Sequence, residues 1–299
     1  MESGFDFSPG ILFALMTLTQ LSPSYGCLTT PVCIIPQQES PVVNPYPKVS
    51  VWGTEFSQVD MRQAIEMADR VVRLGQPEYF ITANLNYLML THQDARLAEV
   101  NQHCCCILAD GHPIVARSRL TKNPLPGRVA GADLIVHLAE MAADKGYKIY
   151  FLGGEPGIGQ AAAAELKSRF PKLCVAGTYS PPFRQLTQDE QQQMIQAIQE
   201  AQTDILLVAF GQPKGELWIY QHLSQLKVPL SIQLGASFDF LAGKARRAPR
   251  FWQVTCCEWL YRAASDPKRL LPRYGQNIRF LMRILVGEVL GYCRRLTKW

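Results

Sequence analysis

Nowhere in this sequence is there a Cys-X-X-Cys pair or a Cys/His spacing of the kind that holds zinc, although it contains nine cysteines. That excludes a structural zinc module. The cysteines are odd in number and bunched at Cys104-Cys105-Cys106 and Cys256-Cys257, which fits reduced thiols in a cytoplasmic setting better than a disulfide framework. A long apolar run is also missing. The patch Ile11-Leu12-Phe13-Ala14-Leu15-Met16 is short, and Pro9, Gly10, Pro23 and Pro31 interrupt any helix that would span a bilayer there. It has no basic segment before it, the first lysine being Lys48, so a secretory signal is not expected. Charge of either sign is absent from Phe7 to Gln38, and residues 1–48 are expected to form a poorly ordered tail. Charged residues make up only 18% of the chain against 47% hydrophobic, which excludes a disordered protein and implies a large core.

The charge that is present lies unevenly. From Lys244 to Trp299 there are 13 Lys/Arg and 3 Asp/Glu, so this segment carries +10 and the residues before it −5. Such a segment seeks phosphates, on lipid head groups, on a pyrophosphate ligand or on nucleic acid. Trp252, Trp259 and Tyr261 are interleaved with its arginines. Further on, Ile278, Leu281, Leu285 and Val289 form an apolar stripe with Arg279 and Arg283 off it. Glu288 and the arginines argue against a spanning helix, which leaves an amphipathic helix at an interface or one packed on the domain.

Between these two segments, short apolar runs alternate with helical spacing. The run that organises the rest is Cys106-Ile107-Leu108-Ala109-Asp110-Gly111, a buried parallel strand that stops at an acid. Ligands bind at the carboxyl ends of such strands, so Asp110 is expected at the lip of a cleft. Gly111 is expected to let the chain turn sharply and a ligand approach closely. An ordinary turn acid is the other reading of these six residues. Tyr79-Phe80-Ile81 is expected to be a strand ending in Thr82-Ala83-Asn84, and Lys148 to Leu152 one that runs into the glycine loop from Gly153 and Gly154 to Gly159. Leu173 to Ala176 follows as a strand. Asp204 to Phe210 is another, ending in Gly211-Gln212-Pro213-Lys214-Gly215-Glu216, and Leu230 to Leu234 leads into a segment that carries Asp239.

Helices are expected over 59–74 with a stop at Gly75, over 86–101, from Leu134 to Gly146, from Ala161 to Phe170, and behind the capping box Thr187/Glu190. A loop rich in basic residues and proline is expected between Asp110 and Arg128. The pattern predicts an α/β fold, a Rossmann-like mostly parallel sheet of six strands flanked by helices, with a basic helical C-terminal appendage. The expected divisions are a tail at 1–48, a core at 49–245 and the appendage at 246–299. Gly157, Gly159 and Ala162 fit G-x-G-x-x-A, but four residues separate Leu152 from Gly157 and no acid lies near position 178, so a nicotinamide or flavin enzyme is not expected.

Several ordered blocks together resemble the WecG/TagA/CpsF family of bacterial glycosyltransferases, glycosyltransferase family 26, from about Val51 to Lys268. They are Thr82-Ala83-Asn84, Leu108 to Gly111, Arg128 to Leu134, Phe151 to Gly157, Gly211 to Lys214, Phe238 to Lys244, Arg247 to Arg250 and Glu258 to Arg262. The resemblance implies inverting, metal-independent transfer of N-acetylmannosamine or a related hexose in cell-surface polysaccharide biosynthesis. The donor would be a UDP-sugar and the acceptor a polyprenyl-pyrophosphate-linked saccharide, with no cofactor. By the same resemblance Asp110 is the general base and Arg128 steadies the leaving diphosphate. Thr82 and Asn84 would then sit in the pocket and Arg262 close over it. Gly111, Gly153, Gly154, Gln212, Lys214 and Asp239 complete the substrate-binding candidates.

The C-terminal segment would meet the membrane surface, placing the protein in the cytoplasm, peripheral at the inner face of the cell membrane. The chain departs from the family pattern at Gly215, where the family carries glutamine and where Gln212 is a substitute, and at Ala83, where it carries proline. Glucose and N-acetylglucosamine therefore remain alternative sugars. A basic nucleic-acid-binding α/β protein and a nucleotide-dependent oxidoreductase are the other readings. Neither accounts for Asp110 and Arg128 in successive connections, and no nucleic acid partner is expected. A homo-oligomer is compatible with the sequence.

Overall fold

A computed structural model describes residues 44–296, apart from the side chains at 254, 292, 295 and 296. The expected N-terminal tail lies almost wholly outside the described residues. Its last members are tied to the core, because Asn44 Nδ2 donates to Ser57 Oγ (2.9 Å) and to the Cys105 carbonyl (3.0 Å). A short antiparallel hairpin, β1 (Lys48–Val51) and β2 (Thr54–Ser57), opens the described chain. Two four-residue strands are too short to show a period, and the sequence reading had no sign of them.

Next come α1 (Met61–Leu74), β3 (Glu78–Ala83), α2 (Leu85–Thr91), α3 (Arg96–His103), β4 (Cys106–Ala109) and α4 (His112–Ser118). They are followed by α5 (Gly131–Lys145), β5 (Lys148–Gly153), α6 (Ile158–Arg169), β6 (Cys174–Tyr179), α7 (Gln188–Glu200), β7 (Ile205–Ala209), α8 (Lys214–Leu226) and β8 (Leu230–Gln233). The last helices are α9 (Ser237–Leu241), α10 (Arg250–Val254), α11 (Glu258–Ser265) and α12 (Pro267–Leu296). The expected helix from 86 to 101 is in fact two, α2 and α3, and the expected loop after Asp110 contains α4.

β3 to β8 form one six-stranded sheet in the order β4-β3-β8-β7-β5-β6, with every pairing parallel. All its strands but the half-exposed edge strand β6 are buried on both faces, and most read as near-continuous apolar runs. Alternate residues serve opposite sides. Phe80, Leu108, Ile149, Phe151, Leu207 and Ile232 join α1, α5 and α6. Tyr79, Ile107, Tyr150, Leu206 and Val208 join α2, α3, α4, α7 and α8. The chain lays down β3 and β4, crosses to β5 and β6, and returns through β7, so that β8 ends between β7 and β3. Three connections distant in sequence thus share one stretch of the carboxyl edge, where ligands bind in such sheets.

The helix ends follow local chemistry. Asp60 and Gln63 form a capping box on α1, Thr187 and Glu190 one on α7, and Gly75 and Gly146 close α1 and α5 in the left-handed conformation. Gly153 ends β5 at φ +99°, and a Cβ there would stand 2.9 Å from the Ala209 carbonyl carbon and oxygen. Gly153→Ala is therefore expected to cost about 2–3 kcal/mol through strain and overlap, roughly 5–10 °C in Tm. Thermal unfolding checks this, and an unchanged Tm would contradict the close approach of β5 to β7.

Candidate active site

The site grows from the end of β4. The Asp110 N–H donates to the Ala83 carbonyl (2.9 Å), which extends the β3–β4 ladder by one rung. The Val129 N–H donates to the Ala109 carbonyl (2.9 Å), so the chain returns to β4 after α4 and sets Arg128 beside Asp110. The N-cap of α5, Ala130, has no side chain to bond the first helical amides. Asp110 fills that role from a neighbouring strand, its Oδ2 accepting from the Gly131 N–H at 3.3 Å, where the helix dipole favours an anion. The fit is tight: a Cβ on Gly131 would lie 3.2 Å from Leu234 Cδ2, 3.6 Å from Ser237 Oγ and 3.7 Å from Asp110 Oδ2.

α11 brings Glu258 and Arg262 to the same place, one helical turn apart. Arg128 Nη1 is 3.1 Å from Glu258 Oε2, and both side chains are less than a fifth exposed. The Arg262 guanidinium lies 5.2 Å from the centre of the Phe240 ring, a cation–π contact. Next door, Arg247 forks onto Asp133 with contacts of 2.5 and 2.7 Å, and Lys244 pairs with Glu155.

Burial raises the Asp110 carboxyl above its ordinary pKa. Arg128, the Gly131 N–H and Arg262 offset part of that rise, while Glu258 adds to it. Burial, then Arg128, depresses the His112 imidazole at the start of α4. Chemically, the arrangement is a poised carboxylate between fixed guanidinium groups. Among the described residues no three His, Cys, Asp or Glu side chains come together as metal ligands.

The other sequence-derived residues fall into two groups. Thr82 is buried in β3 and its hydroxyl donates to the Gln233 carbonyl (3.0 Å). Asn84 is the N-cap of α2, its Oδ1 accepting from the Tyr87 N–H (3.1 Å). Gln212 reaches across from the β7 connection, its Nε2 donating to the Thr82 carbonyl (3.2 Å). The Gly154 N–H donates to the Ala209 carbonyl (3.1 Å), so Gly153 and Gly154 bind β5 to β7. Lys214 is exposed at the first position of α8 and Asp239 is half-buried on α9. Neither is among the strongest influences on the Asp110 carboxyl.

Gly111 corrects the sequence reading. Its φ of 176° is extended backbone open to any residue, and a Cβ there would make ordinary contacts of 3.7 Å and beyond. Asp133, Arg247, Glu258 and His112 were not singled out from the sequence. The spacing of Glu258 and Arg262, four apart on one helix face, was the available signal for one of them.

A half-buried carboxylate flanked by guanidinium groups at the carboxyl edge of a parallel sheet is the equipment of a group-transfer enzyme with an anionic leaving group. Residues 49–293 match the model of the Glycosyl transferase WecG/TagA/CpsF family, and the chain belongs to that family. It is a glycosyltransferase. Over 228 residues it is 31% identical to the N-acetylglucosaminyldiphosphoundecaprenol N-acetyl-beta-D-mannosaminyltransferase of Staphylococcus aureus (strain MRSA252), covering 75% of this chain and 87% of that one. The enzyme of the same name from strain MW2 is 30% identical over the same extent. The resemblance read from the ordered blocks is thus confirmed.

The Asp133–Arg247 fork fastens the segment after α9 to α5. Arg247 holds the Asp133 carboxyl below its ordinary pKa. Its share of stability is therefore complete above the usual carboxylate range and lost as the pH falls beneath it. Arg247→Ala is expected to cost about 1 kcal/mol, since both groups are partly exposed, and to speed proteolysis between residues 244 and 266 several-fold. Equal cleavage rates for variant and wild type would show that the fork does not hold this segment.

Proposed function

We propose that this chain transfers N-acetylmannosamine, or a close hexose relative, from a UDP-sugar to a polyprenyl-diphosphate-linked N-acetylglucosamine, with inversion. The observation that carries this reading is the placement of Arg128 beside Asp110 through the Val129 to Ala109 bond. The names of the relatives, N-acetylmannosaminyltransferases that act on N-acetylglucosaminyldiphosphoundecaprenol, support it.

In this mechanism Asp110 takes the proton of the acceptor hydroxyl as its oxygen attacks C1 of the sugar. The C1–O bond to the diphosphate breaks, and the bonding pair leaves on the diphosphate, facing Arg128 and Arg262. A raised carboxyl pKa makes Asp110 a stronger base than an exposed aspartate. Glu258 holds Arg128 in place and gives way as the diphosphate arrives. Thr82, Asn84 and the Gly153-Gly154 turn shape the pocket, and Gln212, Lys214 and Asp239 line its rim.

Residues 49–245 form the catalytic core and 246–299 an appendage that serves both site and membrane. No helix of the described residues is long and apolar enough to cross a membrane. α12 docks on the core through Asn277, through Phe280 against His92 (centroids 5.2 Å), and through Glu288 to Arg117 (2.7 Å). Its opposite side exposes Ile278, Met282, Leu285, Val286 and Val289 beside Arg279 and Arg283. That composition suits peripheral attachment to an anionic surface, at the inner face of the cell membrane.

Asp110→Asn is expected to lower kcat by about 10²–10⁴-fold. Because the folded pKa of Asp110 is raised, its ionisation weakens folding as the pH rises through that value, so the amide is expected to leave Tm unchanged or higher at neutral pH. In the wild type, kcat/KM should fall as the pH drops through the same raised pKa. A variant with wild-type turnover would remove Asp110 from the mechanism. Val286→Asp with Val289→Asp, at positions 51% and 61% exposed, is expected to preserve Tm and abolish most binding to anionic phospholipid vesicles in flotation assays. An unchanged bound fraction would place the membrane contact elsewhere.

A further inference from the structure

Gln233, the last residue of β8, is only 2% exposed, and its amide Nε2 has no hydrogen-bond partner among the described residues. Its Oε1 accepts from the Phe210 N–H at 3.3 Å, which fixes the amide with the nitrogen on the far side. A buried N–H without an acceptor is costly, and such groups call for an explanation.

Two glycines frame this amide. A Cβ built at Gly215 would overlap Gln233 Oε1 outright, so glycine at the second position of α8 is what admits the side chain. Leaving aside its chain neighbours, a Cβ built at Gly235 would meet a single atom within 4 Å, Gln233 Nε2 at 3.5 Å, so glycine here leaves no side chain of its own against that nitrogen. A Cβ at Gly211, on the adjacent turn after β7, would meet nothing within 4 Å.

The position adjoins the active site. The Gln233 carbonyl holds Thr82, the Gln212 amide holds the Thr82 carbonyl, and the next residue, Leu234, packs on the Gly131 position that Asp110 contacts.

We propose that Gln233 is a donor-binding residue, its Nε2–H donating to a neutral acceptor oxygen of the sugar nucleotide seated over the Gly211 and Gly235 turns, with Gly215 present to admit it. The oxygen belongs either to the nucleoside, as a base carbonyl or ribose hydroxyl, or to the sugar, as a hydroxyl or acyl carbonyl. Gln233 thereby takes part in selecting the donor. This rests on the transfer reading above.

The test uses full-length protein and two substitutions. Gln233→Met keeps the volume and flexibility of the side chain and removes the amide. Gly215→Ala keeps the amide and displaces it. Both are expected to raise the KM for the UDP-sugar about tenfold, with kcat within about threefold and the lipid-acceptor KM unchanged, the loss of one hydrogen bond to a neutral group. Tm of Gln233→Met should fall by no more than a few degrees, because only the long Phe210 N–H to Oε1 bond is lost and Nε2 has no structural partner to lose. Calorimetry with UDP alone then locates the oxygen: weaker UDP binding by Gln233→Met places it on the nucleotide, and unchanged UDP binding with a raised donor KM places it on the sugar.

A donor KM for Gln233→Met within twofold of wild type overturns the proposal, as does a change confined to Tm or to the acceptor KM. Failure of the wild type itself to bind UDP or turn over any UDP-sugar would instead sink the transfer reading, so the two failures are distinct.

Discussion

A carboxylate withdrawn from water at the end of β4 sets the demands that its surroundings meet. Asp110 is surrounded closely enough for burial to dominate its titration, and an uncompensated buried charge would not survive there. The compensation comes in layers. The Gly131 N–H and the end of the α5 dipole take one oxygen, and Arg128 and Arg262 supply positive charge. Arg128 in turn is balanced by Glu258, and Asp133 on the first turn of α5 is balanced by Arg247. Each balancing partner lies on a later part of the chain, so the appendage is drawn over the core by the charges needed to keep one aspartate ionisable.

This explains what the sequence disclosed. Most strands of the sheet were legible because a strand buried on both faces is a continuous apolar run, and β7 is the plainest example; the edge strand β6 is half-exposed. Gly75, Gly146 and the Thr187/Glu190 box were legible because a helix end is a local event. Asp110 was legible as an acid interrupting an apolar run. Arg128 and Arg262 entered through the family resemblance, but the pairings of Arg128 with Glu258 and of Asp133 with Arg247 were not legible, because they meet only through the tertiary fold. Nothing local in Glu258 says that it balances an arginine on the other side of the chain. Gly111 shows the opposite error: glycine beside a catalytic candidate invited a conformational reading, and the backbone there is simply extended.

The α12 helix illustrates why two readings of an amphipathic stripe need not compete. A helix has room for two apolar faces of different use. Leu270, Asn277 and Phe280 turn toward the body of the protein, while Ile278, Met282 and Val289 stay exposed. The pairing of Arg117 with Glu288 fixes the rotation of the helix and so decides which face is left to the surroundings. An acid that looked like a mere objection to a spanning helix is the residue that orients it.

The carboxyl edge of the sheet also shows which parts of the site are free to vary. Asp110 and Arg128 are held by backbone bonds on both sides, to Ala83 and through Val129 to Ala109, and a shift in either would break the β3–β4 ladder. The connections after β7 and β8 are held differently, by the side-chain amides of Gln212 and Gln233 reaching across glycine turns. An amide on a flexible stem can be supplied from either element of a contacting pair. Glycine at 215, which in the bare sequence looks like a lost contact, is in the fold the space that Gln233 occupies. On the proposed reading, variation of this kind would alter what the donor side of the cleft recognises while leaving the proton-transfer side where it is, because Asp110 is anchored by backbone bonds and the two glutamines reach across by side chain.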